Sequence, residues 1–145
     1  MTRLEDLVKA MLENIRSTHN FLIEKYGGEV IKESWNQYGC EWIVRVDGSL
    51  FQFVWEIRDY PYLWGINVML GCPDAQSRLN EWWNWVTILE FIAYVWNLPK
   101  PSLTEIRKTE WIEQIILFIR HPNYYQKWCK EFNDWYDKYY KSKVK

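Results

Sequence analysis

The spacing of apolar residues changes at Gly27-Gly28, and this change constrains the fold more than any other feature of the chain. Before the two glycines, apolar side chains recur every three or four residues, which predicts one amphipathic helix over residues 2–26. Glycine readily adopts the left-handed backbone conformation that ends a helix, so the pair marks the helix end. After it, apolar and polar side chains alternate, which is typical of strands. The first half of the chain therefore predicts a helix followed by a sheet.

The alternating part predicts four strands with short connections: residues 29–35, 41–47, 49–58 and 63–70. Asp47-Gly48 separates the second strand from the third, and this dipeptide favours a type I′ turn because both central residues of that turn need positive φ. Strands joined by short links usually pair with their neighbours in the chain. We therefore expect an antiparallel meander with one packed face and one freer face.

The second half predicts three helices, over residues 75–97, 103–120 and 123–140. The first is apolar almost all round, which is typical of a buried helix. A capping box, Ser102-Leu103-Thr104-Glu105, begins the second, and Pro122 separates the second from the third.

Together these elements predict one α+β domain over residues 1–145. It has an N-terminal helix, a four-stranded antiparallel meander and three C-terminal helices packed on one face of the sheet.

Charge and motifs exclude several classes of function. Lys and Arg number 18 against 19 Asp and Glu, whereas proteins that bind duplex nucleic acid show a basic excess. Cys40, Cys72 and Cys129 are widely spaced and form no C-x-x-C pair, which predicts free thiols rather than a zinc site or a disulfide framework. With two histidines and no nucleotide-binding motif, we expect no metal and no cofactor. His19 lies beside the apolar stripe of its helix, which predicts a hydrogen-bonded histidine at the edge of the core.

The chain shows no targeting or membrane-spanning pattern. The first residues lack the basic-then-apolar order of a signal peptide, and polar residues interrupt the most apolar stretch, residues 82–98. We therefore expect a cytoplasmic location and no membrane partner.

The aromatic content predicts a contact surface. The chain has 11 Trp, 10 Tyr and 6 Phe, more large rings than a domain of this size can bury completely. Trp82 and Trp85 point in different directions from the predicted helix 75–97, so at least one ring should be exposed as a contact residue. Tyr94 lies on the same helix, and an exposed Trp beside a Tyr is a common anchor at protein interfaces.

Glu90 belongs to a polar line on that predicted helix, formed by Asn80, Asn84, Thr87, Glu90, Tyr94 and Asn97. An unpaired buried carboxylate would cost several kcal/mol, so Glu90 needs water or a cation. The line fits a narrow exposed stripe, a binding groove, or a buried salt bridge from Glu90 to Arg45 or Arg58.

Glu56 and Asp59 form a second acidic pair, at the end of the third predicted strand. Two carboxylates there could serve a binding or hydrolytic site, or simply form ion pairs at a solvated strand edge.

These patterns favour a non-catalytic protein-binding module whose partner is another protein or a second copy of the chain. Its size and composition are similar to those of immunity proteins of toxin systems and of phage or bacterial inhibitors of other proteins. The alternative is a small-molecule binder or enzyme with an aromatic-lined pocket between sheet and helices. Glu90, Glu56 and Asp59 would then supply its polar groups.

Overall fold

A computed structural model describes residues 3–57, 65–71, 82–99 and 109–139 of the chain. The helices are α1 (Arg3–Thr18), α2 (Phe21–Glu24), α3 (Trp85–Val95), α4 (Thr109–Arg120) and α5 (Cys129–Tyr139), with a π-helical turn over Tyr124–Trp128. The strands are β1 (Glu29–Asn36), β2 (Gly39–Val46), β3 (Ser49–Glu56), β4 (Gly65–Met69) and the two-residue β5 (Trp83–Asn84). The order of a helix, a four-stranded antiparallel sheet and C-terminal helices confirms the predicted α+β class.

The chain divides into two compact units. The first contains residues 1–46 and 50–68, and the second contains residues 47–49 and 69–145. In the first unit, β1 to β4 lie in chain order, as expected for a meander. β1 is antiparallel to β2, with an irregularity in the register between Val30 and Lys32.

Alternation along β2, β3 and β4 separates a buried inner face from an outer face. Every second residue of these strands is buried. The inner face carries Cys40, Trp42, Val44, Val46, Phe51, Phe53, Trp55, Ile66 and Val68. Helix α1 packs on β1 and β2 and buries Val8, Leu12 and Ile15. In contrast, all eight residues of β1 are exposed.

The N-terminal helix ends at Thr18 rather than near residue 26. The carbonyl oxygen of Ile15 accepts hydrogen bonds from both the backbone N–H and the ring Nδ1 of His19, at 3.1 and 2.8 Å. The backbone N–H of Leu22 then donates to the carbonyl oxygen of His19, three residues earlier, and the short helix α2 follows. The turn brings His19 into the core, which confirms the predicted hydrogen-bonded histidine. Its side chain adds a second hydrogen bond to the Ile15 carbonyl oxygen, which apolar spacing does not reveal.

The turn between β2 and β3 has the predicted backbone. Asp47 and Gly48 both have positive φ, 50° and 84°. In the second unit, the carboxylate of Asp47 accepts a hydrogen bond from Arg120 Nε. Ser49 Oγ accepts another from the backbone N–H of Gly71, at 3.1 Å.

The second unit is built around aromatic rings. Phe91 on α3 contacts Phe118, Phe132 and Trp135 edge-on or tilted, with ring centroids 5.0 to 5.8 Å apart. Phe118 and Trp128 stack with centroids 4.6 Å apart. Helix α3 begins at Trp85, so the predicted helix over 75–97 is wrong for Trp83 and Asn84, which are extended. Tryptophan suits strands as well as buried helices, so composition alone did not separate the two. The predicted capping box at 102–105 lies outside the described residues.

Asn97 ends α3 in the left-handed conformation, with φ 54°, and the next backbone N–H, of Leu98, donates to Ala93 O at 2.7 Å. This is the pattern of a Schellman cap, where glycine is the favoured residue. We expect Asn97→Gly to raise the free energy of unfolding by up to about 1 kcal/mol and Asn97→Ala to lower it by about 1 kcal/mol. Urea denaturation of the three proteins tests this. Equal destabilisation by both variants would show that the side chain of Asn97, rather than its backbone, matters.

Candidate functional site

A row of polar side chains crosses the outer face of the sheet, with one residue from each of the four strands. Lys32 Nζ lies 2.7 Å from Glu41 Oε1, and Gln52 Nε2 donates to Glu41 Oε2. Asn67 Nδ2 donates to Gln52 Oε1 at 3.0 Å. The row therefore runs from β1 through β2 and β3 to β4 and joins the strands from the solvent side.

Glu41 is the centre of this polar row. Burial acts to raise the pKa of its carboxyl, but hydrogen bonds from Lys32 and Gln52 and the charge of Lys32 outweigh it and hold the pKa below its ordinary value. Glu41 is thus an anion held by Lys32 and Gln52 on the outer face, rather than a protonated carboxyl that could act as an acid.

An open groove of about 660 Å³ lies beside the polar row. Lys32, Ser34, Asn36, Glu41, Val54 and Glu56 line it, with Tyr38 and Ile57 at the end where β1 turns into β2. That end is closed by hydrogen bonds: Asn36 Oδ1 accepts from Tyr38 N at 2.7 Å, and Ile57 N donates to Tyr38 O at 2.8 Å. We call this the outer groove. Backbone and side-chain amide hydrogen bonds therefore fix this end of the outer groove.

Exposed apolar side chains concentrate along β1 and its turn. Among the described residues, four of the nine exposed large apolar side chains are Val30, Ile31, Trp35 and Tyr38, each 40% to 66% exposed. We call these four residues the β1 patch. In the described part of the sheet, β1 is an end strand with β2 as its one neighbour. The patch therefore follows the β1 edge of the sheet, and Tyr38 also lies in the lining of the outer groove.

Helix α1 holds the inner side of β1 in place. The Cα pairs Glu33–Trp42 and Trp35–Cys40 put Glu33 and Trp35 on the inner face. Arg16 forms an ion pair with Glu33 at 3.3 Å, and Lys9 Nζ lies 5.0 Å from the centroid of the Trp35 ring. An exposed cation–π contact contributes about 0.5–1 kcal/mol. Trp35 is thus oriented although it is only half-covered.

The site residues predicted from the sequence lie in different parts of the structure. Trp82 is exposed just before α3, Tyr94 is exposed near its end, and Glu90 is half-buried between them. Trp85 is only 3% exposed, so its ring is core rather than surface. Glu56 lines the outer groove. Its predicted companion Asp59 lies outside the described residues, so the two-carboxylate site stays a prediction.

The polar line on α3 is in part a surface stripe. Thr87 and Glu90 are half-buried, and Tyr94 and Asn97 are exposed. Asn80 lies outside the described residues, and Asn84 precedes the helix. Glu90 is thus partly exposed, and the three arrangements expected for it stay predictions.

The nucleophilic residues offer little chemistry. Burial raises the pKa of the Cys40 thiol to about 11, so it stays protonated at neutral pH. Cys129 is disulfide-bonded, and the expectation of three free thiols is wrong. Disulfides are typical of oxidising compartments, and this weakens the cysteine argument for a cytoplasmic location. No group of three or more His, Cys, Asp or Glu within the described ranges could hold a metal ion.

The β1 patch was not predicted from the sequence, because the aromatic contact residues Trp82, Trp85 and Tyr94 were all expected on the helix over 75–97. A signal was present: in a meander, the first strand is an edge strand unless a later strand returns beside it. Apolar residues on that strand, Val30, Ile31 and Trp35, then face one neighbour instead of two.

Comparison with known proteins adds no relative: no protein-family model, curated protein or solved structure matches this chain. In the part of the chain that the structure describes, no helix is both long and apolar enough to cross a membrane.

Proposed function

We propose that this protein is a non-catalytic protein-binding module that contacts its partner through the β1 patch. The observation that carries the proposal is the concentration of Val30, Ile31, Trp35 and Tyr38 on one exposed strand and its turn. Single exposed apolar residues are normal on a protein surface, but four within residues 30–38, on one edge strand and its turn, support a contact site.

The types of residue in the patch suit a protein interface. Trp and Tyr bury much area for few lost rotamers and are enriched among the residues that dominate binding energy. Trp35 is already oriented by Lys9, so less side-chain entropy is lost on binding. The edge of β1 also presents backbone groups to an added strand, a recurring mode of protein recognition.

The outer groove supplies the polar rim of such an interface. It is open, and its lining combines Lys32 with the carboxylates of Glu41 and Glu56. Mixed charge around an apolar patch is the usual anatomy of a non-obligate interface. An immunity or inhibitor role is a narrower form of this proposal. A cytoplasmic location stays a separate prediction. The aromatic-lined small-molecule pocket between sheet and helices stays a prediction.

Site-specific photo-crosslinking in cells tests the proposal. A photoreactive phenylalanine derivative placed at Tyr38 is expected to crosslink to another polypeptide chain, whereas the same group at Leu117 on α4 is not. Leu117 is a matched control because it too is an exposed large apolar residue. In the protein that carries the photoreactive residue at position 38, adding Trp35→Ala should lower the crosslinked yield by more than about tenfold. A loss of this size is expected for an interface anchor.

Equal yields from the two positions, or none from position 38, would contradict the proposal. Circular dichroism and thermal unfolding of Trp35→Ala establish that the fold is retained, since the ring is only half-covered in the wild type.

A further inference from the structure

We infer that one disulfide, between Cys129 and Cys72, closes the second unit, so that the stability of this unit depends on the redox state of its surroundings. The inference is independent of the proposed protein-binding function, because the β1 patch belongs to the first unit and contains no cysteine. The observations behind it are the states of Cys40 and Cys129, the number of cysteines in the chain and the held backbone just before residue 72.

The partner of Cys129 follows from the count of cysteines. The chain has three: Cys40, Cys72 and Cys129. Cys129 is disulfide-bonded, whereas Cys40 is free and buried on the inner face of β2. Cys72 is therefore the cysteine of this chain that is left to bond Cys129. It lies outside the described residues, so its assignment comes from this count and not from its position.

The described backbone just before Cys72 is held within the second unit. The backbone N–H of Gly71 donates to Ser49 Oγ at 3.1 Å, and the Ser49 side chain is buried. A Cβ atom on Gly71 would overlap the carbonyl oxygen of Gly48, so the two backbones are in close contact. Residues 47–49 belong to the same unit as Cys129. One end of the inferred bond is therefore anchored one residue away.

The other end of the bond lies in the aromatic core of the second unit. Cys129 begins α5 directly after the π-helical turn and is 6% exposed. Trp128, just before it, stacks on Phe118 with centroids 4.6 Å apart. Phe132, one turn later, contacts Phe91 with centroids 5.0 Å apart. Packing on both sides therefore holds the Cys129 sulfur in place.

A bond between residues 72 and 129 closes a long covalent ring that contains β5, α3, α4 and the π-helical turn. Closing such a ring removes conformational freedom from the unfolded chain and little from the folded one, and the effect grows with ring length. A native disulfide typically shifts the unfolding equilibrium by about thirtyfold to about a thousandfold. The second unit therefore gains much of its stability from this bond.

The bond needs an oxidant, and a disulfide such as oxidised glutathione suffices. The thiols of Cys72 and Cys129 together lose two protons and two electrons, and oxidised glutathione takes them up and becomes two reduced glutathione molecules. Reduction by a dithiol reverses the reaction and opens the ring. Because thiols stay reduced in the cytosol, the second unit is expected to lose stability there and to keep it in an oxidising compartment.

Peptide mapping of the wild type tests the pairing and needs no variant. The protein is incubated with oxidised glutathione, unfolded in urea with iodoacetamide to block free thiols, and digested with trypsin without reductant. Since trypsin cuts after Lys and Arg, we expect the peptides over residues 59–78 and 128–130 to be joined by a disulfide. The peptide over residues 33–45, which contains Cys40, should carry the blocking group. A link between residues 33–45 and 128–130, or three blocked thiols, would overturn the inference.

Urea denaturation in oxidised glutathione and in dithiothreitol tests the redox dependence. Reduction should raise the unfolding equilibrium constant of the wild type and of Cys40→Ser by at least about thirtyfold. It should leave Cys72→Ser and Cys129→Ser unchanged, because these variants have no bond to reduce. Cys40→Ser is the matched control, since it removes a buried thiol and keeps the bond, and each protein is compared only with itself. Equal stability of the oxidised and the reduced wild type would overturn the redox dependence, whatever the variants do.

Discussion

Gly39→Ala is expected to lower the free energy of unfolding by at least about 2 kcal/mol, because the protein has no room for one methyl group at this position. A Cβ atom on Gly39 would overlap the backbone carbonyl oxygen of Trp55 and lie 3.2 Å from Glu56 Cα. Both obstacles are backbone, so no side chain can rotate away. The strands would have to separate at the end of the outer groove, where Tyr38 O accepts the hydrogen bond from Ile57 N.

Gly65→Ala is the matched control. Gly65 is also a strand glycine, at the start of β4, but a methyl group there would have Val54 O as its nearest neighbour, at 3.8 Å, which is an ordinary contact. Alanine there should leave stability unchanged or raise it by up to about 1 kcal/mol, through the smaller conformational entropy of the unfolded chain. Urea denaturation of both variants measures the difference. A similar loss at both positions would mean that glycine flexibility in strands, rather than space at Gly39, sets the cost.

The two glycines show which features of the fold can be predicted from the sequence and which cannot. Apolar alternation predicted strands β1 to β4 to within a few residues, and Asp47-Gly48 predicted the turn between β2 and β3, because both signals are local. The need for glycine at residue 39 comes from Trp55, which is distant in sequence and close only in the folded sheet. Nothing in the composition of the turn Asn36-Gln37-Tyr38-Gly39 distinguishes this crowded glycine from one that is merely flexible.

The candidate site was predictable only in part, for a similar reason. Counting aromatic residues correctly implied that some rings remain exposed, and Trp82 and Tyr94 are. It did not indicate that Trp85 would be buried and Trp35 half-exposed, because exposure depends on which strand forms the sheet edge. The polar row Lys32–Glu41–Gln52–Asn67 has no linear signature at all. Its members come from four strands and meet only through the register.

Acid should destabilise the protein through His19, and His19→Gln should remove that part of the pH dependence. The ring is 2% exposed and packs against Phe53 with centroids 4.2 Å apart. Burial lowers the pKa of His19 from 6.5 to about 4, although the hydrogen bond to Ile15 O acts in the opposite direction. The folded protein therefore keeps the ring neutral at pH values where the unfolded chain already binds a proton.

The sign follows from this difference in proton binding. The contribution of His19 to stability is complete above about pH 6.5, is lost as the pH falls towards 4, and changes little below that, because both states are then protonated. By pH 4.5 the loss amounts to about 2–3 kcal/mol. Glutamine keeps an N–H that can donate to Ile15 O but does not titrate. The comparison is made between wild type and His19→Gln at pH 7.5 and 4.5, since carboxylates such as Glu41 titrate equally in both proteins and cancel. If the two proteins lost the same stability between these pH values, protonation of His19 would not be what acid acts on, and water would have to reach the ring in the folded state.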